Sequence, residues 1–477
     1  MSDIARHSPD LASMSATELL DGYASKVFSP VEVLDAVEER IDRLDPDLNA
    51  FYVRERALAG TLARASERRW ARGEPTGLID GVPITLKETL ATVGTPLPSG
   101  TAALRDAPAQ TIDSPVATST GAEGGVRLGK TVMPDYGMLS SGVSSLHGIS
   151  RSPWNREWTT GGSSAGASAA AAARFGPLHV GSDIGGSIRL PAGWNGLASL
   201  KPTFAIVPVD PPYMGRAVGP LCRTVADVAV TMQVIARPDP LLRDYTFQDR
   251  PLPWTAVRRS PLHDEDIASL RIGIHTEAGW GMAVDPEVAR IVEDAGAIFE
   301  RAGAQVEPIG PIVAAEQLDM LDLFLRARSW LDVKSLRREA RESVLPFIRD
   351  WVITAADHSA VDLIGAYQGI QAMRYSTIQA TKDYDVVLSP VAPVAAFPAD
   401  WPMPTNDPDT SLAHIGFTAP YNFSEQPAAT VNAGFTADGR PVGVQLAARR
   451  FDDVRLLQVA QWFEDARPAT AVPTWPL

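Results

Sequence analysis

The chain has a single cysteine, Cys222, among 477 residues, which excludes an internal disulfide and a cysteine metal cluster. Lysine is nearly as scarce. Lys26, Lys87, Lys130, Lys201, Lys334 and Lys382 are the whole set, so Arg carries most of the 43 basic charges. With 57 acidic side chains and a formal net charge of -14, the chain lacks the basic face through which nucleic-acid binders release counterions, so nucleic acid is not expected as a partner. Long apolar runs are missing too. The longest weakly apolar one, AGASAAAAA at 165–173, falls far short of the ~20 strongly apolar residues a membrane span needs. The opening MSDIARHSPD has neither the basic start nor the apolar core of a secretion signal. The expectation is a protein of the reducing cytoplasm with no membrane association.

What is present alternates in period. Residues 15–44 read as two helices begun by Ser15 and Ser29, with Pro30 at the first helical position of the second. Helical spacing over 54–73 gives way to a β-rich segment, Val82 to Leu86, ending on Lys87. VRLGKTVM, PLHVGSD, LRIGIHT, AQVEPI, YDVVLSP and RPVGVQLAA read as strands separated by Ala-rich helices such as 285–302, the pattern of an α/β layered fold. Residues 235–268 read as a surface excursion. The amphipathic stretch 315–350 is either a cap over a pocket or a solvated outer layer, and periodicity favours the outer layer. No linker, charge block or internal repeat marks a domain cut.

Chemistry concentrates in Thr159–Thr203. Gly161-Gly162-Ser163-Ser164 precedes an Ala run, which places both serines at a helix start and makes Ser164 a helix cap. The strand Leu178–Asp183 follows and ends in the turn Ile184-Gly185-Gly186-Ser187. A ten-residue helix rises ~15 Å and a six-residue strand returns ~20 Å, so Ser163 and Ser187 should meet. The glycines let the N–H groups of 184–187 converge as an oxyanion hole would require. A base is still needed. None of the seven histidines is well placed: His179 reads as packed in its strand and His147 as a loop residue. Lys87 is the better candidate if burial leaves its amine neutral. Asp183 and Arg189 flank the turn and read as a bracing ion pair.

These motifs resemble the amidase signature family of Ser/Ser/Lys hydrolases. GGSSAG at 161–166, GSDIGGSIRLPA at 181–192 with its 24-residue serine interval, and GVPITLKE at 81–88 carry the resemblance. LDPDLNAF, LGKT, GPLCRTVAD, LSPVAPV and AGFTADGRPVGVQL follow the family order. The resemblance implies a mixed β-sheet sandwiched between helical layers, built as one domain over 1–477: a helical preface (1–75), a signature core (76–230), a variable excursion and possible pocket cap (235–350) and a C-terminal part (351–477). It implies Ser187 as nucleophile, Lys87 as base, and Ser163, after a cis bond from Gly162, as proton relay. Ile184, Gly185, Gly186 and Ser187 would supply the oxyanion N–H groups. Tyr136, Gly137, Met138, Ser140 and Gly162 would contact substrate, and Asp183 and Arg189 would give structural support. No cofactor or metal is implied, and the enzyme is expected as a monomer or homodimer.

The implied activity is hydrolysis of a linear C–N bond in an amide, anilide or aryl carbamate, with esters as further substrates; aryl acylamidases and urethanases are the nearest in character. A neutral, hydrophobic or aryl substrate is expected because YGMLSSGVSSLHG, at 136–148, has no basic cluster. Two alternatives stand beside this reading: the glutaminase subunit of a tRNA-dependent amidotransferase, disfavoured by SSGVSSLHG where that family has SSTENSAFG, and an inactive binding protein on the same scaffold. Ala165, Glu88, Trp194-Asn195 and Val431-Asn432 depart from the family pattern. Two motifs are decoys. GGVRLGKT at 124–131 matches a phosphate loop but reads as a strand, and GSSAG at 162–166 matches a nucleophile elbow without the preceding strand. Scattered Trp residues and the surroundings of Met138 and Trp330 read as core packing rather than as an aromatic pocket.

Overall fold

In the computed structural model, which describes residues 10–476, paired capping boxes start the preface. Ser15 and Glu18 cap Ala16–Ala24, and Ser29 and Glu32 cap Pro30–Leu48 with Pro30 in the first turn, each box satisfying two backbone N–H groups that the helix itself cannot. Most of the opening decapeptide, expected to carry no export signal, lies outside the described residues, His7 included. Helix Arg56–Arg72 ends at Gly73 in the left-handed conformation, and the chain then returns to the sheet.

Eleven strands form one mixed sheet flanked by helices, the α/β class expected. From edge to edge the order is Phe51–Arg54, Val126–Thr131, Pro83–Lys87, Leu178–Asp183, Ala217–Cys222, Ala198–Lys201, Ala428–Phe435, Pro441–Ala447, Val386–Pro390, Arg271–Ile274 and Gln305–Pro308. Pro83–Lys87 lies inside the sheet and is parallel to both neighbours, so all five of its residues are buried. Buried parallel strands read as continuous apolar runs, and a lysine ending one is therefore conspicuous. VRLGKT is indeed the strand Val126–Thr131, so the phosphate-loop pattern has no phosphate-loop geometry.

Two expectations change here. Residues 235–268 are more than a surface excursion, because Trp254, Val257 and Ile267 anchor them in the main core. The stretch 315–350 is not an outer layer. Helices Ala315–Ser335 and Pro346–Ile353 pack through Leu321, Leu325, Ile348 and Trp351 into a second buried cluster with Met138 and Ile415. Periodicity identified a buried face but not what that face covers. No described helix is long and apolar enough to cross a membrane.

Candidate active site

Strands Pro83–Lys87 and Leu178–Asp183 run parallel, with Leu86 opposite Val180. Their carboxyl ends therefore reach the same edge of the sheet, where open α/β folds hold ligands. Lys87 and the turn 184–187 meet there. Helix Ala165–Ala172 brings its N-terminus to the same place, and Ser164 N donates to Ser187 O at 3.2 Å.

Lys87 is 1% exposed. Its Nζ is 2.8 Å from Ser163 Oγ, 3.2 Å from Ser164 Oγ and 3.4 Å from Ser182 O. Burial lowers its pKa from 10.5 to about 7; Asp183 and Glu88 pull it back up, while Arg216 adds to the fall. An amine in this state is part neutral at neutral pH and able to take a proton. Lys130 and Lys201 are also buried, with pKa values lowered to about 7 by desolvation, but they bond backbone carbonyls: Lys130 those of Leu90 and Glu88, Lys201 that of Pro202. Scarcity narrowed the lysines, and only contact with the serines separates Lys87 from the other two.

Ser164 stands at the N-cap position but makes no capping bond. Its hydroxyl instead accepts from Ser182 N, donates to Ser182 O and faces Lys87, which corrects the cap assignment. The Gly162–Ser163 peptide is cis. A Cβ on Gly162 would lie 2.3 Å from Ser141 O and 2.8 Å from Leu139 O, so only glycine fits against that backbone.

Lys87, Ser163, Ser187, Ile184 and Gly185 line one cleft, which encloses about 750 Å³ with its open mouth included. Tyr136, Gly137, Met138 and Ser140, expected at the substrate, also line it. Gly162 does not, being packed against Ser141 and Leu139. Gly186 is a second correction. Its N–H donates to Asp183 Oδ1 at 2.8 Å, so the donors left to converge are those of Ile184, Gly185 and Ser187. The residue is needed for its shape: its φ of 128° lies where side chains are strained, and a Cβ would meet Leu190 and Thr418 at 2.7 Å.

Asp183 and Arg189 brace the turn as expected. Both side chains are fully buried and contact at 3.0 Å. Asp183 also accepts from the N–H groups of Gly186 and Ile188 and from Asn422. Arg189 and its hydrogen-bonding partners hold the Asp183 carboxyl well below its ordinary pKa, overcoming its desolvation. Arg189 reaches on to Thr418 O and Gln445, which ties the turn to the C-terminal strands.

Two of the departures from the family pattern, Glu88 and Trp194-Asn195, have defined partners. Glu88, fully buried, accepts from Gly100 N at 2.7 Å and sits 3.0 Å from His147 Nε2. Asn195 bonds Thr160 O, Pro191 O and Ser152, holding the segment before the serines, and Trp194 donates to Val394 O. His179 is packed, bonded to Thr85 and Gly176, with burial lowering its pKa to about 3. His414 reaches the cleft wall through a 2.8 Å contact with Ser140, and burial likewise holds it near about 3.

Several wall residues carry no signal in the sequence: Leu325, Arg328, Ser329 and Trp351 from the helical segment, and Arg216 ahead of GPLCRTVAD. Trp351 is packed in the core as expected and also contributes to the cleft wall. Loop 136–148 has no Arg or Lys, on which the expectation of a neutral substrate rested, but Arg216 and Arg328 line the cleft from elsewhere in the chain.

Paired serines beside a desolvated lysine, at the carboxyl ends of parallel strands, define the class: a hydrolytic enzyme of α/β architecture. The Amidase family model matches residues 32–457, and the chain belongs to the amidase signature family. It is 34% identical over 471 residues to an acylamidase of Rhodococcus erythropolis, covering 95% of this chain and 96% of that one. It is 32% identical over 481 residues to a glutamyl-tRNA(Gln) amidotransferase subunit of Pseudomonas savastanoi pv. phaseolicola, covering 94% and 97%. The solved structure of a bacterial aryl acylamidase of the amidase signature family superposes with a TM-score of 0.87 at 28% identity, over 96% of each chain.

Proposed function

We propose that the protein hydrolyses a linear amide-type C–N bond through an acyl-enzyme on Ser187. What carries this reading is the 2.8 Å contact between Lys87 Nζ and Ser163 Oγ in a cleft that Ser187 also lines. Ser187 Oγ attacks the carbonyl while its proton passes to Ser163, whose own proton passes to neutral Lys87. The N–H groups of Ile184, Gly185 and Ser187 take the developing oxyanion, each well-placed donor being worth about 3–4 kcal/mol. The C–N bond breaks as the proton returns through Ser163 to the leaving amine. Water then attacks the acyl-enzyme by the same relay and releases the acid. Splitting the reaction in two lowers each barrier, and no step needs a cofactor or metal. Anilides, aryl carbamates and esters present the same carbonyl to the same donors.

The setting we infer is the cytoplasm, with a small-molecule substrate and the chain acting as a monomer or homodimer. The amidotransferase reading is supported by the similarity to glutamyl-tRNA(Gln) amidotransferase subunits and disfavoured by SSGVSSLHG at 140–148. A turnover panel of an anilide, an aryl carbamate, a primary amide, an ester and glutamine tests the proposal. Cleavage of an anilide or carbamate by the purified chain alone supports it. Activity on glutamine only, dependent on a partner subunit, would replace it with the alternative.

A further inference from the structure

Arg216 and Arg328 come from distant parts of the chain and line the cleft that holds Lys87, Ser163 and Ser187. Both lie against one aromatic ring, with Arg328 Cζ 4.8 Å and Arg216 Cζ 5.9 Å from the centroid of Tyr213. Cation–π contact holds a guanidinium over a ring without neutralising it. Among the described residues neither arginine is paired with a carboxylate at ion-pair distance, and Arg216 donates one hydrogen bond, to Pro211 O at 3.3 Å. Asp332 interacts electrostatically with both and offsets part of their charge, and Asp135 lies near the same wall, beside Tyr136. Burial, reinforced by the neighbouring Arg328, lowers the Arg216 pKa to about 10, with Tyr213 and Asp332 opposing the fall. Two fork-shaped cations lining one cavity offer the donors that a carboxylate takes.

We infer that Arg216 and Arg328 form an anion subsite in the cleft, and that the preferred substrates are amides carrying a carboxylate remote from the bond that breaks. This deepens the reading given above and rests on it, because the subsite is defined by the cleft that holds Ser187. The carboxylate belongs either to the acyl part or to the departing amine.

The test uses three anilides of matched length with the full chain: one neutral, one whose acyl chain ends in a carboxylate, and one whose aniline ring bears it. The wild type should favour one carboxylate substrate over the neutral one by about 10-fold or more in kcat/KM, mainly through KM, the scale of a charge-assisted contact. The favoured arm identifies which half of the substrate faces the arginines. In Arg216→Gln and Arg328→Gln this ratio should shrink about 10- to 100-fold, while Arg328→Lys keeps part of it. Each ratio is taken within one variant, so partial misfolding lowers both terms and leaves it unmoved. If neither Gln variant folds, competitive inhibition of the wild type by a free dicarboxylate, weakening with salt, replaces them. Equal or better cleavage of the neutral anilide by the wild type, or an unmoved ratio in both folded variants, overturns the inference. Fluorophosphonate labelling at Ser187 separates the two failures: labelling without carboxylate preference removes the subsite alone, and no labelling removes the mechanism beneath it.

Discussion

Replacing Lys87 by Met should abolish activity and at the same time stabilise the protein in mild acid. Lowering the lysine pKa from 10.5 to about 7 means that the charged form is less favourable in the fold than in water by about 5 kcal/mol. Between these values the unfolded chain binds a proton that the folded chain does not, so this contribution to stability rises with pH. Below about pH 7 the whole penalty is present. Methionine removes it, while the hydroxyls of Ser163 and Ser164 lose a partner at about 1–3 kcal/mol; the net gain at pH 6 is about 2–4 kcal/mol, read as a higher urea midpoint. In the wild type the base must be neutral, so acylation should fall tenfold per pH unit below the midpoint, to about one-hundredth of its plateau at pH 5. The assay is the rate of anilide turnover from pH 5 to 9, with Lys130→Met as a control that should leave the midpoint unmoved. A flat profile that persists in Lys87→Met would refute the reasoning.

Three further outcomes follow from the same geometry. Ser163→Ala should slow acylation by about 10²–10⁴-fold with the fold kept, since Lys87 retains Ser164 and Ser182 O; burst kinetics beside a denaturation curve checks both. Asp183→Asn strands a fully buried Arg189 and should cost about 3–5 kcal/mol in unfolding free energy, measured by urea titration. Gly162→Ala drives a Cβ into Ser141 O at 2.3 Å, and the displaced Ser163 should cut kcat/KM by about 100-fold, whereas near-wild-type kinetics would show that the segment yields freely.

Much of this site is local in sequence and was legible for that reason. Ser163 precedes a helix and Ser187 follows a strand, and both line one cleft; Ser15, Ser29 and Pro30 announce their helices. What failed depends on long-range partners. Ser164 has the identity and position of a cap, yet Ser182 and Lys87 claim its hydroxyl. Gly186 permits an inward N–H, but Asp183 takes it. Arg216, Arg328 and Trp351 share a cleft only because helices 315–335 and 346–353 fold over the sheet edge, and no spacing in the sequence records that.

The central claim is that Ser187 carries the acyl group. Mass mapping of the protein after treatment with a fluorophosphonate tests it most directly. The account predicts one adduct, on the peptide containing Ser187, lost in Ser187→Ala together with turnover. An adduct on Ser163, Ser164 or Ser140, or turnover that survives in Ser187→Ala, would contradict it.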